Sequence, residues 1–259
     1  VTYPLLAYED EAFVAGPDGR PIRMLAEYLA PLHALREAGI VDTVVFFGSS
    51  RLSPAGRLGH YYEAARLLAG EVTRWAHELA PDYSRLVVCS GGAGGIMEAA
   101  NRGAREAGGR TIGFNIGLPH EQRPNAWLEP GLSFDFHYFF MRKLWFAHLA
   151  RAVVVFPGGF GTLDELFEML TLRQTGKLAR DVCIILYGTE YWNRVLNLPV
   201  LVQEGMLDQQ SLELLHTADS VEEAMCCLKQ RIKLEKDGTA PAFAASATPH
   251  GSESRGVSS

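Results

Sequence analysis

Short apolar runs recur along the chain, and most are followed by a segment of helical period. Thr43–Phe47, Leu86–Cys89, Thr111–Ile116, Ala152–Phe156 and Val182–Tyr187 carry no polar alternation. A strand with one face in water alternates apolar and polar residues, whereas a strand buried on both faces does not. Between these runs lie amphipathic stretches, such as Tyr61, Ala65, Leu68, Val72, Trp75 and Leu79 at helical spacing. Strand and helix therefore alternate, and the chain is read as α/β: a single, doubly wound, Rossmann-like and mostly parallel sheet with helices on both faces. Further helices are predicted over 21–38, with Ile22, Leu25, Leu29 and Leu32 on its apolar face, from about Ile96 to Ala107, over Phe139–Ala150, from Leu163 to about Gln174, and over 190–204 and 220–235. Phe134–Phe139 is read as the possible start of a short strand and Leu214–Ala218 as an edge strand. Residues 1–20 form an N-terminal segment, 21–235 the nucleotide-binding domain, and 236–259 a tail rich in Ala, Ser, Gly, Thr and Pro that is expected to be disordered.

Composition narrows the function classes. Lys and Arg total 24 against 30 Asp and Glu, a formal charge of -6. That balance argues against binding a nucleic-acid polymer, but not against a small anionic ligand in a locally positive pocket. The four cysteines, Cys89, Cys183, Cys226 and Cys227, form no C-x-x-C pair and show no zinc spacing with histidine along the chain. Cys89 and Cys183, inside apolar runs, are read as buried free thiols, which points to a reducing compartment, and no metal ion is expected. Val1–Asp10 has no basic region followed by an apolar stretch, and no run approaches the ~20 residues of a membrane span. A cytoplasmic protein without membrane association is expected.

In such sheets ligands bind beyond the carboxyl ends of the strands. Three strand ends carry small-residue loops here: Gly48-Ser49-Ser50, Ser90 to Gly95, and Pro157 to Thr162. Glycine lets the backbone approach a ligand, and a helix start offers free N–H groups to phosphate. Ser49, Gly92, Gly158, Gly159, Gly161 and Thr162 are the resulting substrate-binding candidates. The dinucleotide fingerprint is incomplete, because Gly92-Ala93-Gly94 lacks the third glycine and the next strand ends in Phe114-Asn115-Ile116 without an acid. No P-loop sequence is present. Thr162-Leu163-Asp164-Glu165 has the form of a capping box, with Thr162 as cap and Glu165 reaching back. The other reading sets Glu165 one turn into a phosphate-binding helix, within reach of a ribose. Arg142 and Lys143 interrupt an apolar helix, and charges so placed need partners or a path to water. Arg142 is read as a site residue; Lys143 either joins the site or runs to solvent. His120, Glu121 and Asn125 are pocket candidates or solvated loop residues.

Pro157-Gly158-Gly159-Phe160-Gly161-Thr162-Leu163-Asp164-Glu165 resembles the PGGxGTxxE motif of the LOG ("lonely guy") family, also called lysine-decarboxylase-like. Ile96-Met97-Glu98-Ala99-Ala100-Asn101 and Phe140-Met141-Arg142-Lys143 resemble two further segments of that family. The resemblance spans roughly 20–235 and is nearer the larger, second type. It implies a phosphoribohydrolase that cleaves the N-glycosidic bond of AMP or a cytokinin riboside 5′-monophosphate, giving free base and ribose 5-phosphate. It also implies catalytic roles for Arg142 and Glu165, a phosphate loop at Gly158, Gly159, Gly161 and Thr162, no cofactor, and a homodimer with pockets completed across the interface. One departure stands out: Ala93-Gly94 occupies the place of the family's Gly-Pro, which puts substrate preference in doubt. The rival readings are a protein that binds a nucleotide or phosphorylated cofactor without hydrolysing it, an interaction module using the tail, and a decarboxylase. The last would need a Schiff-base lysine, for which only Lys143 and Lys177 come forward.

Overall fold

The computed structural model describes residues 5–79, 86–117, 123–178 and 180–232. The elements run α1 (Glu11–Ala15), α2 (Arg20–Glu37), β1 (Asp42–Phe47), α3 (Gly59–Leu79), β2 (Leu86–Ser90), α4 (Ile96–Glu106), β3 (Thr111–Ile116), β4 (Ser133–Phe136), α5 (Phe139–Leu149) and β5 (Ala150–Val155). They continue with α6 (Phe160–Gln174), β6 (Cys183–Tyr187), α7 (Thr189–Val195), α8 (Leu198–Gln203), α9 (Gln209–Leu212), β7 (Leu215–Ala218) and α10 (Val221–Arg231). His120, Glu121 and the tail 236–259 lie outside the described residues.

The seven strands form one sheet in the order β4-β3-β2-β1-β5-β6-β7, and every pairing is parallel. The apolar runs explain this, because each central strand is buried on both sides. In β1, Val44 and Phe46 pack with α3, α4 and α10. Val45 and Phe47 face the other way, onto α2, α5, α6 and α7. The chain winds outward from β1 to β4, then returns to lay β5 against the other side of β1. The loops after β1 and β5 thus leave the sheet side by side at the point where winding reverses, which is where a crevice opens in such folds. At the opposite end, Asp42 is buried and pairs with Arg151 at 2.9 Å and with Arg180, tying the starts of β1 and β5 to the approach to β6.

Three expectations need correction. The helix predicted over 190–204 is two helices, α7 and α8, with Leu196 and Asn197 between them and Pro199 at the start of the second; proline suits a first turn and not a helix interior. The apolar face of α2 is only partly buried. Leu32 and Leu35 reach the core, whereas Ile22, Leu25 and Leu29 remain 39%, 59% and 54% exposed. Periodicity marks a face that seeks burial, not what buries it. Finally, Thr162 does not cap a helix. Helix α6 begins at Phe160 with Gly159 as its cap, so Thr162 is a buried first-turn residue and the Glu165 side chain is free for another partner.

Candidate active site

The three small-residue loops meet at the switch point and are bonded to one another. The Ser49 N–H donates to the Pro157 carbonyl at 3.0 Å, and the Ser49 carbonyl accepts from the Ile96 N–H at 3.1 Å. Gly95 makes the second contact possible. Its φ is +65°, and a Cβ there would sit 2.2 Å from the Ser49 oxygen, so only glycine fits. Gly92 lies deeper. Its N–H donates to Ser90 Oγ at 3.0 Å, and its carbonyl accepts from Asn125 Nδ2 at 3.0 Å. Asn125 Nδ2 also reaches the Ala93 carbonyl and Asn101 Oδ1. Asn125 therefore braces the second loop, and the pocket role considered for it is not where its side chain points.

A cavity of about 740 Å³ opens over these loops. Its walls are Gly48, Ser49, Ser50 and Arg51 after β1, Gly158 to Leu163 at the start of α6, and Arg142, Glu165, Met97, Ile116, Phe139 and Val195. Of the expected site residues, Ser49, Arg142, Gly158, Gly159, Gly161, Thr162 and Glu165 line it, while Gly92 and Lys143 do not. A smaller hollow of about 320 Å³ continues past Gly158 towards Arg51, Arg57 and Tyr191. The Tyr191 hydroxyl donates to the Gly158 carbonyl at 2.7 Å. Helix α6 presents its first turn to the cavity with no side-chain cap. First-turn N–H groups lack partners within a helix and, with the macrodipole, favour an anion. At Gly158 a Cβ would meet Thr162 Oγ1 at 2.1 Å, so glycine is what lets the loop fold tightly against that turn.

Arg142 on α5 and Glu165 on α6 form the polar wall. Arg142 Nη2 donates to Glu165 Oε1 at 3.0 Å, with side chains only 11% and 12% exposed. Arg142 lies over the rings of Phe139 and Phe146 at 5.4 and 5.8 Å. Its buried Nε has no hydrogen-bond partner, which leaves a desolvated cationic donor at the site. Burial raises the Glu165 carboxyl to about 7, with Arg142 opposing that rise and Asp164 adding to it. A carboxyl poised near neutrality beside an unsatisfied guanidinium is the pattern of a site that handles charge.

Lys143, the next residue on α5, turns away from this wall. Its ammonium sits 2.7 Å from Asp164 and 2.8 Å from Glu168. Burial works against the ammonium, but the two carboxylates outweigh it and raise its pKa. Successive helical residues differ by about 100° around the axis, so adjacent charges take different faces. Met97, Ile116, Phe139, Arg51 and Val195 were not anticipated as walls. Phe139 was within reach of inference, since it lies three residues before Arg142 and so shares its helix face; Val195 and Tyr191 carry no local signal.

Comparisons with known proteins bear on the family and the fold. The family model described as "Possible lysine decarboxylase" matches residues 97–228, just over half of the 259-residue chain. The cytokinin riboside 5′-monophosphate phosphoribohydrolase LOG7 of Arabidopsis thaliana is 28% identical over 189 residues, covering 72% of this chain and 80% of that protein. A cytokinin riboside 5′-monophosphate phosphoribohydrolase of Rhodococcoides fascians is 31% identical over 118 residues, covering 44% and 58%. Among solved structures, the structural genomics target TM1055 aligns with a TM-score of 0.52 at 25% identity, covering 73% of this chain and 99% of that one. The molybdenum cofactor binding protein of Rippkaea orientalis aligns at 0.50 and 20% identity, covering 75% and 98%, a likeness of fold alone. With its doubly wound parallel sheet, the glycine loop opening α6 and this extended match, the chain belongs to the LOG family, whose model carries the lysine-decarboxylase description.

Proposed function

We propose that this protein is a nucleoside 5′-monophosphate phosphoribohydrolase, cleaving the N-glycosidic bond of AMP or a cytokinin riboside 5′-monophosphate to free base and ribose 5-phosphate. The carrying observation is the buried Arg142–Glu165 pair, 3.0 Å apart, on the wall of a cavity that also holds the uncapped start of α6. The 5′-phosphate binds the first turn of α6, at Gly158, Gly159, Gly161 and Thr162, with Ser49 on the facing loop. That remote contact fixes the ribose against Glu165, so binding energy is spent on positioning the scissile bond. Rupture of the C–N bond builds positive charge on the sugar. Ionised Glu165 holds the ribose hydroxyls and stabilises that charge. Arg142 keeps the carboxylate oriented and turns its free Nε–H towards the phosphate or the departing base. Gly92 supports the loop from beneath, and Lys143 holds α5 to α6 through Asp164 and Glu168; neither is proposed to touch the substrate.

Decarboxylation through a Schiff base fits poorly. Lys143 is held protonated between two carboxylates, and Lys177 is exposed and away from the cavity walls. The exposed apolar band of Leu25 and Leu29 on α2 and Phe139, Phe140 and Leu144 on α5 supports a homodimer, with Phe139 carrying the band to the cavity edge. Cys89, a buried thiol, and the exposed Cys226 are unbridged, which supports a reducing, cytoplasmic setting. Incubation of the pure protein with AMP and with N6-prenylated AMP, followed by chromatography, tests the assignment. Release of free base is expected from at least one of them. A folded protein that returns both intact would instead be a nucleotide-binding protein.

A further inference from the structure

A second cluster of reactive side chains lies at the far end of the strands from the cavity. Cys183 opens β6, His216 is the second residue of β7, and Cys227 sits on α10, which covers both strands. In the parallel register His216 stands beside Ile185, on the same face as Cys183, so α10 is laid across all three. The Cys183 and Cys227 sulfurs are 3.8 Å apart, and each residue offers a ligand atom within 4.8 Å of the other two. His216 Nε2 is buried without a hydrogen-bond partner, an arrangement that is unfavourable unless something occupies its lone pair or proton. Tetrahedral zinc with Zn–S bonds of ~2.3 Å sets its two sulfurs ~3.8 Å apart, the separation observed here.

We propose that Cys183, His216 and Cys227 form a zinc site that clamps α10 onto β6 and β7, with the fourth position taken by water. Two thiolates and one imidazole suit a soft-to-borderline d¹⁰ cation and not magnesium or calcium. The thiolates neutralise the divalent ion. Arg173 and Arg231 favour the thiolate form of Cys183, although burial and Cys227 together hold that thiol well above its ordinary pKa. Binding therefore breaks two S–H bonds, forms two Zn–S bonds and one Zn–N bond, and releases up to two protons per ion to solvent. Residues 44 and 11 positions apart along the chain escape any search for local Cys/His spacing. The site does not depend on the phosphoribohydrolase reading.

The test uses the full chain, reduced and stripped with a chelator, then titrated with Co²⁺ and afterwards with Zn²⁺. One equivalent of Co²⁺ is expected, with thiolate-to-metal charge-transfer absorption and the visible bands of four-coordinate cobalt, both erased by Zn²⁺. Cys227→Ser and Cys183→Ser should lose the charge-transfer intensity in part or whole, whereas Cys226→Ser, an exposed neighbour, should retain it all. Zinc should raise the melting temperature of the wild type and not of Cys227→Ser, a readout independent of whether Cys183→Ser folds. The proposal is overturned if the reduced wild type gives no such bands, if Cys227→Ser leaves them unchanged, or if the two thiols are recovered as a disulfide whose reduced form binds no metal.

Discussion

At the scale of the residue, the titration of Glu165 governs both stability and the expected rate. Burial raises its carboxyl from an ordinary value near 4.5 to about 7, against the pull of Arg142. The folded state thus holds a proton that the unfolded chain has already released between about pH 4.5 and 7. Stability must then fall as pH rises through that window and level off above it. At ~1.4 kcal/mol per unit, the loss is at most ~3.5 kcal/mol. Denaturant unfolding from pH 5 to 8 should show this decline in the wild type, and the Glu165→Gln variant should show a flatter profile. The same group sets the expected rate profile: if ionised Glu165 steadies a positive sugar, kcat/KM rises with pH through an apparent pKa around 7 in the free enzyme. A rate that falls through that range would assign Glu165 to proton donation. Arg142 stood out in the sequence because a guanidinium set between the apolar segments Tyr138–Met141 and Leu144–Ala147 requires a partner. Lys143 stayed open between the site and solvent, because adjacency along the chain hides a rotation of about 100° around the helix.

At the scale of the element, legibility followed burial. Strands β1, β2, β3, β5 and β6 are buried along nearly their whole length, so their apolar runs announced them to within a residue or two. Their loops were legible as a converging set because small residues at consecutive strand ends meet by topology. The start of α6 was not, since Thr162 and Glu165 satisfy the spacing of a capping box, while the glycines before them allow the helix to begin earlier, at Phe160. The break between α7 and α8 was signalled by Pro199 and overridden by the surrounding apolar period. Gly95 tests how tightly the loops depend on one another. Gly95→Ala places a Cβ 2.2 Å from the Ser49 carbonyl in a left-handed backbone, and should cost at least about 2 kcal/mol in denaturant unfolding. It should also weaken monophosphate binding, because the Ser49–Ile96 contact must open. An alanine variant of full stability and affinity would show that the two loops are not coupled.

At the scale of the whole molecule, the sheet acts as a rigid frame that brings a helix start, an arginine and a buried carboxylate to one edge, and an apolar band remains beside them. Ile22, Leu25 and Leu29 on α2 follow a core-like period yet stay exposed among the described residues. In the homodimer proposed above, this face is the one the partner would cover. Leu25→Glu with Leu29→Glu should therefore convert a dimer to a monomer in light scattering, with far-UV circular dichroism unchanged; a wild type that is monomeric at micromolar concentration would remove the dimer from the account. The fold leaves the hydrolytic claim itself open to direct attack, since one frame can carry many chemistries. The decisive measurement is single-turnover release of base from a bound nucleoside monophosphate by Glu165→Gln, with binding measured on the same sample. A Kd within a few-fold of wild type and base release slower by roughly 100-fold or more are expected; unchanged release at unchanged affinity would contradict a role for Glu165 in hydrolysis.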